Sequence, residues 1–162
     1  MRVELGCADV RHDIRVARHP SESEPYLVAK ILAYALHFEP GLVFSRGVCA
    51  GREPTLFVPA AGGRFSHWIE VGARPDRKRL RQAVSRSDEI VMYCYGPLPV
   101  CEKLAAGFRS GRLMIFWIDP VFLHRLAKTA TPGRINWQLA LDGAMLLVND
   151  ICGNRLQLYP EL

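Results

Sequence analysis

The chain has 162 residues, of which 49% are hydrophobic and 23% charged, enough for one core that buries roughly 70% of the unfolded surface without disulfides or a structural metal. Lysine and arginine number 21 against 16 acidic residues, a formal charge of +5; this moderate positive field favours phosphate-bearing partners without identifying one. The apolar runs fall well short of the roughly twenty residues that span a bilayer, so no membrane partner is expected.

Arg2, Glu4 and Asp9 interrupt the N-terminal segment, unlike the apolar core of a secretory signal, and a cytoplasmic protein is expected. Without repeats, low-complexity stretches or a Ser/Gly/Pro-rich linker, a single domain over 1–162 is expected. Val3 to Cys7, Ile14 to Ala17, Val43 to Phe44 and Thr55 to Val58 read as short strands. Between them, Leu27, Ile31, Tyr34, Ala35 and Phe38 recur near the helical period. Ser21 and Glu24 give a capping-box pattern for that helix, and Pro40-Gly41 ends it.

His67 to Val71 is predicted as a strand, Asp76 to Ser87 as a helix and Glu89 to Tyr95 as a strong strand. Val100 to Ser110 and Pro120 to Ala130 read as helices on either side of an apolar strand, Leu113 to Ile118. Three short C-terminal strands follow, Asn136 to Leu141, Ala144 to Val148 and Leu156 to Tyr159, separated by the hairpin signals Asp142-Gly143 and Gly153-Asn154. The expected fold is α/β, a mixed sheet flanked by helices with antiparallel hairpin strands at the C-terminus. Cys7, Cys49, Cys94, Cys101 and Cys152 are odd in number and lack zinc or redox spacing, so they read as small buried hydrophobes.

A phosphate-binding glycine loop with its lysine, a dinucleotide fingerprint, HExxH and GxSxG are all missing, and no organic cofactor is expected. Acid and base remain. Glu53 precedes one strand and Glu70 ends the next. If those strands pair through the Ala60 to Gly63 turn, both carboxylates approach one end of the sheet and could hold Mg²⁺, which takes oxygen ligands and keeps several waters. The following helix carries Asp76, Arg77, Lys78, Arg79 and Arg81 around a buried stripe of Leu80, Ala83 and Val84. A structural reading stands beside each of these. Glu70 would anchor a loop, Glu53-Pro54 would form a turn, and Arg77 to Arg81 would be a solvated face. Glu22 in a first helical turn would meet the helix dipole. Histidines 12, 37, 67 and 124 lack metal spacing, and His19 reads as a cap beside Pro20.

The blocks Ala17-Arg18-His19-Pro20-Ser21-Glu22, Phe44-Ser45-Arg46-Gly47, Glu53-Pro54, Trp68-Ile69-Glu70-Val71-Gly72 and Pro75-Asp76 with its basic helix resemble the YaeQ family of bacterial proteins. Specific motifs run from Ala17 to Tyr95, with a looser match through the Asp142-Gly143 region and a shorter N-terminal section than is usual in the family. The resemblance implies a restriction-endonuclease-like core related to the PD-(D/E)XK phosphodiesterases, in a family without an established activity. It implies Glu22 as the helical glutamate, Glu53 and Glu70 as metal-holding acids, and in-line attack of metal-bound water on a phosphodiester. Lys78 or Arg79 would replace the motif lysine, and Arg18, Arg46, Arg77 and Arg81 would engage nucleic-acid phosphates. The chain departs from the superfamily pattern at Thr55, where an acid is common, and at Gly72, where the lysine would stand. The expected function is therefore a Mg²⁺-dependent nuclease-like phosphodiesterase with a divergent site. The alternative is a catalytically inactive nucleic-acid-binding or protein-interaction module on the same fold.

Overall fold

The computed structural model describes residues 2–7, 10–16, 18–45, 53–74, 76–108, 111–129, 134–142, 145–149 and 157–159. In chain order the elements are β1 (Arg2–Cys7), β2 (Val10–Arg15), α1 (Glu24–Leu36), β3 (Val43–Phe44), β4 (Leu56–Pro59), β5 (Phe65–Gly72), α2 (Arg77–Arg86), β6 (Ser87–Cys94), α3 (Leu98–Ala106), β7 (Leu113–Trp117), α4 (Pro120–Ala127), β8 (Arg134–Asp142), β9 (Met145–Val148) and β10 (Gln157–Tyr159). The described strands form two sheets where the sequence led us to expect one: a four-stranded sheet ordered β2-β1-β8-β9 and a six-stranded sheet ordered β10-β7-β6-β5-β4-β3.

In the larger sheet β5, β6 and β7 are parallel, while β3, β4 and β10 add antiparallel edges. The parallel trio follows from the β-α-β sequence order, since parallel strands need a crossover and here α2 and α3 supply it. The β4–β5 hairpin turns over Ala61–Gly63, where Gly62 and Gly63 take positive φ of 69° and 70°, a backbone that costs other residues more. The predicted hairpin at Asp142-Gly143 is present as the β8–β9 pair. Gly153-Asn154 lies outside the described residues, but β10 does not pair with β9. It pairs with β7, Leu158 opposite Phe116, and so covers an edge that would otherwise be left open.

Strand β6 shows how the layers stack. Val91 and Tyr93 enter one core, whereas Ile90, Met92 and Cys94 enter another, the pattern of a strand covered on both faces. The first core lies around α1, with Ile69 and Val71 from the larger sheet, Ile135, Trp137, Leu139, Leu146 and Val148 from the smaller, and Phe122, Leu123 and Leu126 of α4. Because elements close on it from several sides, Leu27 to Ala35 are buried without interruption, rather than along the single stripe predicted. Phe38 falls beyond the helix and is 42% exposed. The second core holds Trp68, Ile90 and Ile115 against Leu80 and Ala83 of α2 and Leu104 of α3.

Two local expectations are corrected. The cap of α1 is Ser23, whose side chain accepts a hydrogen bond from the Tyr26 backbone N–H; Ser21 lies upstream, and Pro25 suits the first turn because its missing N–H has no helical acceptor to lose. Glu22 thus precedes the helix and does not serve its dipole. The second correction concerns the cysteines. Cys94, at the end of β6, and Cys101, in α3, form a disulfide with Cα atoms 6.3 Å apart, because the turn between strand and helix brings side chains seven positions apart onto one face.

Candidate functional site

The residues singled out for chemistry gather where β5 ends, beside the start of β4 and the N-terminal half of α1. Trp68 and Glu70 alternate onto the same face of β5, so the Trp68 indole N–H donates to Glu70 Oε1 at 2.9 Å. Arg79 reaches back from α2 and donates to the same oxygen twice, from Nη2 at 2.7 Å and Nε at 3.1 Å. A further bond from Arg79 Nη2, also 2.7 Å, ends on the backbone carbonyl of Glu53. Thr55 donates to Glu70 Oε2 at 3.2 Å and accepts the Val71 backbone N–H at 3.3 Å. Tyr26 completes that hydroxyl's valence by donating to it at 3.5 Å.

Burial raises the Glu70 carboxyl above its ordinary range, against the opposing pull of the Arg79 charge and the hydrogen bonds from Arg79, Trp68 and Thr55. Burial likewise raises the Tyr26 hydroxyl, with Thr55 acting against it and the negative charges of Glu22 and Glu70 adding to it. Tyr26 thus feels both carboxylates. Tyr95 is also raised by burial, although Ser23 and the Ala73 backbone hydrogen-bond to it. Close packing holds this end of the sheet together, because a Cβ on Gly96 would come within 1.9 Å of the Ala73 carbonyl oxygen.

On the α1 side, Glu22 is buried and its Oε1 lies 2.7 Å from Lys30 Nζ. The Lys30 ammonium also stands 5.5 Å from the centre of the Tyr26 ring and 5.9 Å from that of Phe44, distances at which ring faces attract a cation. Glu22 Oε2 accepts the His19 backbone N–H, and the Glu22 carbonyl accepts Arg18 Nε and Nη2, all at 3.3 Å. Lys30 escaped the sequence reading. Its signal was there, a lone cation within the apolar run Leu27-Val28-Ala29-Lys30-Ile31-Leu32.

The structure therefore brings Glu22, Glu70 and Arg79 together through Tyr26 and Thr55, with the Glu53 carbonyl drawn in by Arg79. Lys78 is directed elsewhere: it is exposed, and only its backbone N–H is engaged, by the Asp76 side chain that caps α2. Arg81 is exposed as well. Arg77 sits 6.0 Å from the Phe108 ring centre and close against Gly107, where a Cβ would strike its guanidinium. Arg18 holds the Glu22 carbonyl, and Arg46 lies outside the described residues.

A divalent ion of the Mg²⁺ type needs several convergent oxygens at about 2.1 Å. Glu70 Oε1 already receives three donors and Oε2 one. Thr55 offers a hydroxyl where a second carboxylate would be required, and Glu22 is matched to Lys30. Among the described residues no three His, Cys, Asp or Glu side chains form a group able to hold a metal ion. The residues present do not fit Mg²⁺. Glu22 and Glu70 instead each have their own cation.

Comparison with known proteins agrees with the sequence blocks. The family model described as YaeQ protein matches residues 7–155. The uncharacterized protein YaeQ of Escherichia coli (strain K12) is 32% identical over 82 residues, 51% of this chain and 45% of that protein. Its Salmonella typhi counterpart is 29% identical over a segment of the same length. These matches thus span less than half the length of the curated relatives. Across nearly the whole chain, the crystal structure of YaeQ protein from Xanthomonas axonopodis pv. citri superposes with a TM-score of 0.82 at 27% identity, covering 97% of this chain and 94% of that one. The Pseudomonas syringae YaeQ protein gives 0.77 at 32% identity, covering 97% and 90%. Among the described residues no helix is long and apolar enough to cross a membrane.

Proposed function

The chain belongs to the YaeQ family, and we propose that it binds the phosphate backbone of nucleic acid through the exposed side of α2, on a restriction-endonuclease-like core without metal-dependent cleavage. One observation carries this reading: α2 divides its basic residues between two tasks. Arg79 turns inward and neutralises Glu70, while Lys78 and Arg81, three positions apart on one helical face, remain exposed, as does Arg74 ahead of the helix. With Glu22 and Glu70 each matched to an internal cation, the local field is left positive. Such a field attracts phosphate and disfavours Mg²⁺. The PD-(D/E)XK-like hydrolysis implied by the resemblance requires the reverse, a cluster of free carboxylates.

Fluorescence anisotropy with short labelled single- and double-stranded DNA and RNA tests the reading. Binding is expected to weaken steeply between about 50 and 200 mM salt, with no cleavage in Mg²⁺ or Mn²⁺. Lys78→Glu with Arg81→Glu should weaken binding on all sequences and lower the salt slope by about two. Affinity unchanged by those substitutions, or cleavage abolished by Glu70→Gln, would overturn it.

A further inference from the structure

We propose that the Arg79 guanidinium is the resident cation of a divalent-metal-shaped site, and that in the natural protein it holds the position a metal ion would take. The proposal concerns the ion site alone and does not depend on what the outer face of α2 binds.

An ordinary ion pair joins one cation to one carboxylate. Here Arg79 Nη2 is held at 2.7 Å by two oxygens from separate parts of the chain, Oε1 of Glu70 on β5 and the carbonyl of Glu53 ahead of β4. A carboxylate and a backbone carbonyl converging on one positive centre are the oxygen donors that hard divalent cations take. The frame that aims the Glu70 carboxylate does not require Arg79. Trp68 fixes the Glu70 carboxylate from its own strand, and Thr55 fixes it from just ahead of the neighbouring strand while anchored by the Val71 N–H.

The site is incomplete as well as occupied. Position 55 supplies a neutral hydroxyl 3.2 Å from Glu70 Oε2, close enough that an acid there would set a second carboxylate beside that of Glu70. Two obstacles therefore separate the natural chain from a metal site, a guanidinium in the ion's position and a hydroxyl in place of an acid. Removing both should leave Glu70, residue 55 and the Glu53 carbonyl around one vacancy. Removing only the second should leave the guanidinium in possession and simply give it another carboxylate to bind.

The experiment measures Mn²⁺ uptake by electron paramagnetic resonance, and melting temperature against Mn²⁺ concentration, for four purified proteins: the natural chain, Thr55→Asp, Thr55→Asp/Arg79→Ala, and that double variant with Glu70→Gln. The double variant is expected to bind Mn²⁺ at least about tenfold more tightly than the natural chain or Thr55→Asp, and to melt higher as Mn²⁺ is added. The added Glu70→Gln should abolish both effects. Any of three results overturns the proposal: Glu70-dependent uptake by the natural chain, uptake by Thr55→Asp equal to that of the double variant, or a folded double variant that binds nothing. Should the double variant not fold even with Mn²⁺, NMR of the natural chain decides. A slowly exchanging Arg79 Nε–H resonance that is lost in Glu70→Gln supports the resident guanidinium, and its absence overturns it.

Discussion

His37 gives the sharpest test of the packing around α1. It caps the C-terminus of that helix, its Nε2 lies 2.8 Å from the Tyr93 hydroxyl, and the two rings meet edge to face with centroids 5.7 Å apart. Burial lowers its value from 6.5 to about 4, with the nearby His67 charge adding to the fall and Glu89 opposing it. Burial raises Tyr93, which keeps its proton opposite neutral His37. A histidine whose folded value is depressed contributes stability that is fully present above the unfolded value and is lost as pH falls through the window. The unfolded chain takes up a proton near pH 6.5 that the folded chain refuses until pH is about 4. At 1.36 kcal/mol per unit, this difference of about 2.5 units costs about 3 kcal/mol of folding stability across the window. Urea denaturation at several pH values between those limits, for the natural chain and His37→Gln, isolates the effect. Contributions common to both proteins cancel in the difference, including that of Glu70, whose raised value acts in the opposite sense. The stability difference should shift with acidification by about 3 kcal/mol against the natural chain. A difference flat across this range would refute the burial argument.

Three further perturbations address the buried polar contacts. Lys30→Met strands the Glu22 carboxylate and should cost about 3–5 kcal/mol in urea unfolding, most of it recovered in Glu22→Gln/Lys30→Met; equal losses in the single and double variants would deny the pairing. Thr55→Val removes the donor to Glu70 and the acceptor for the Val71 N–H, so it should cost about 1–3 kcal/mol, with Thr55→Ser close to neutral. Cys101→Ser opens a disulfide with a sequence separation of 7 and should lower stability by about 2 kcal/mol in non-reducing buffer. A thiol assay of the unfolded natural chain that counts Cys94 and Cys101 as free would contradict the bond.

Most elements were legible because their signals are local. The strand from Ser87 alternates between two apolar cores, α2 has Asp76 as its cap, and the glycines after Ala60 mark the β4–β5 turn. What escaped the sequence depended on distant partners. Whether Gln157–Tyr159 joins β9 or β7 is decided by which edge lies open in space, and the division into two sheets follows from β1 pairing with β8 far along the chain. Cys94 and Cys101 carry no spacing signature, and their union depends on how α3 leaves β6. Ser21 and Ser23 are equally good capping residues, and the position of Pro25 favours the second.

The site was legible in its residues but not in its ion pairs. Acids ahead of and within a hairpin suggest metal ligands when each is considered with its chain neighbours, because their counter-ions lie elsewhere. Lys30 is eight positions from Glu22, and Arg79 nine from Glu70. The α2 pattern held the information for one of these pairs. With Leu80 and Ala83 facing the core, Arg79 stands one turn before Ala83 at the border of the buried stripe, whereas Lys78 and Arg81 fall on the outer face. A basic residue at such a border, in a helix that directly follows a strand bearing a buried acid, points back at that strand. The same rule separates the two uses of positive charge on this helix: the border residue neutralises the site, and the outer residues present their charge to solvent.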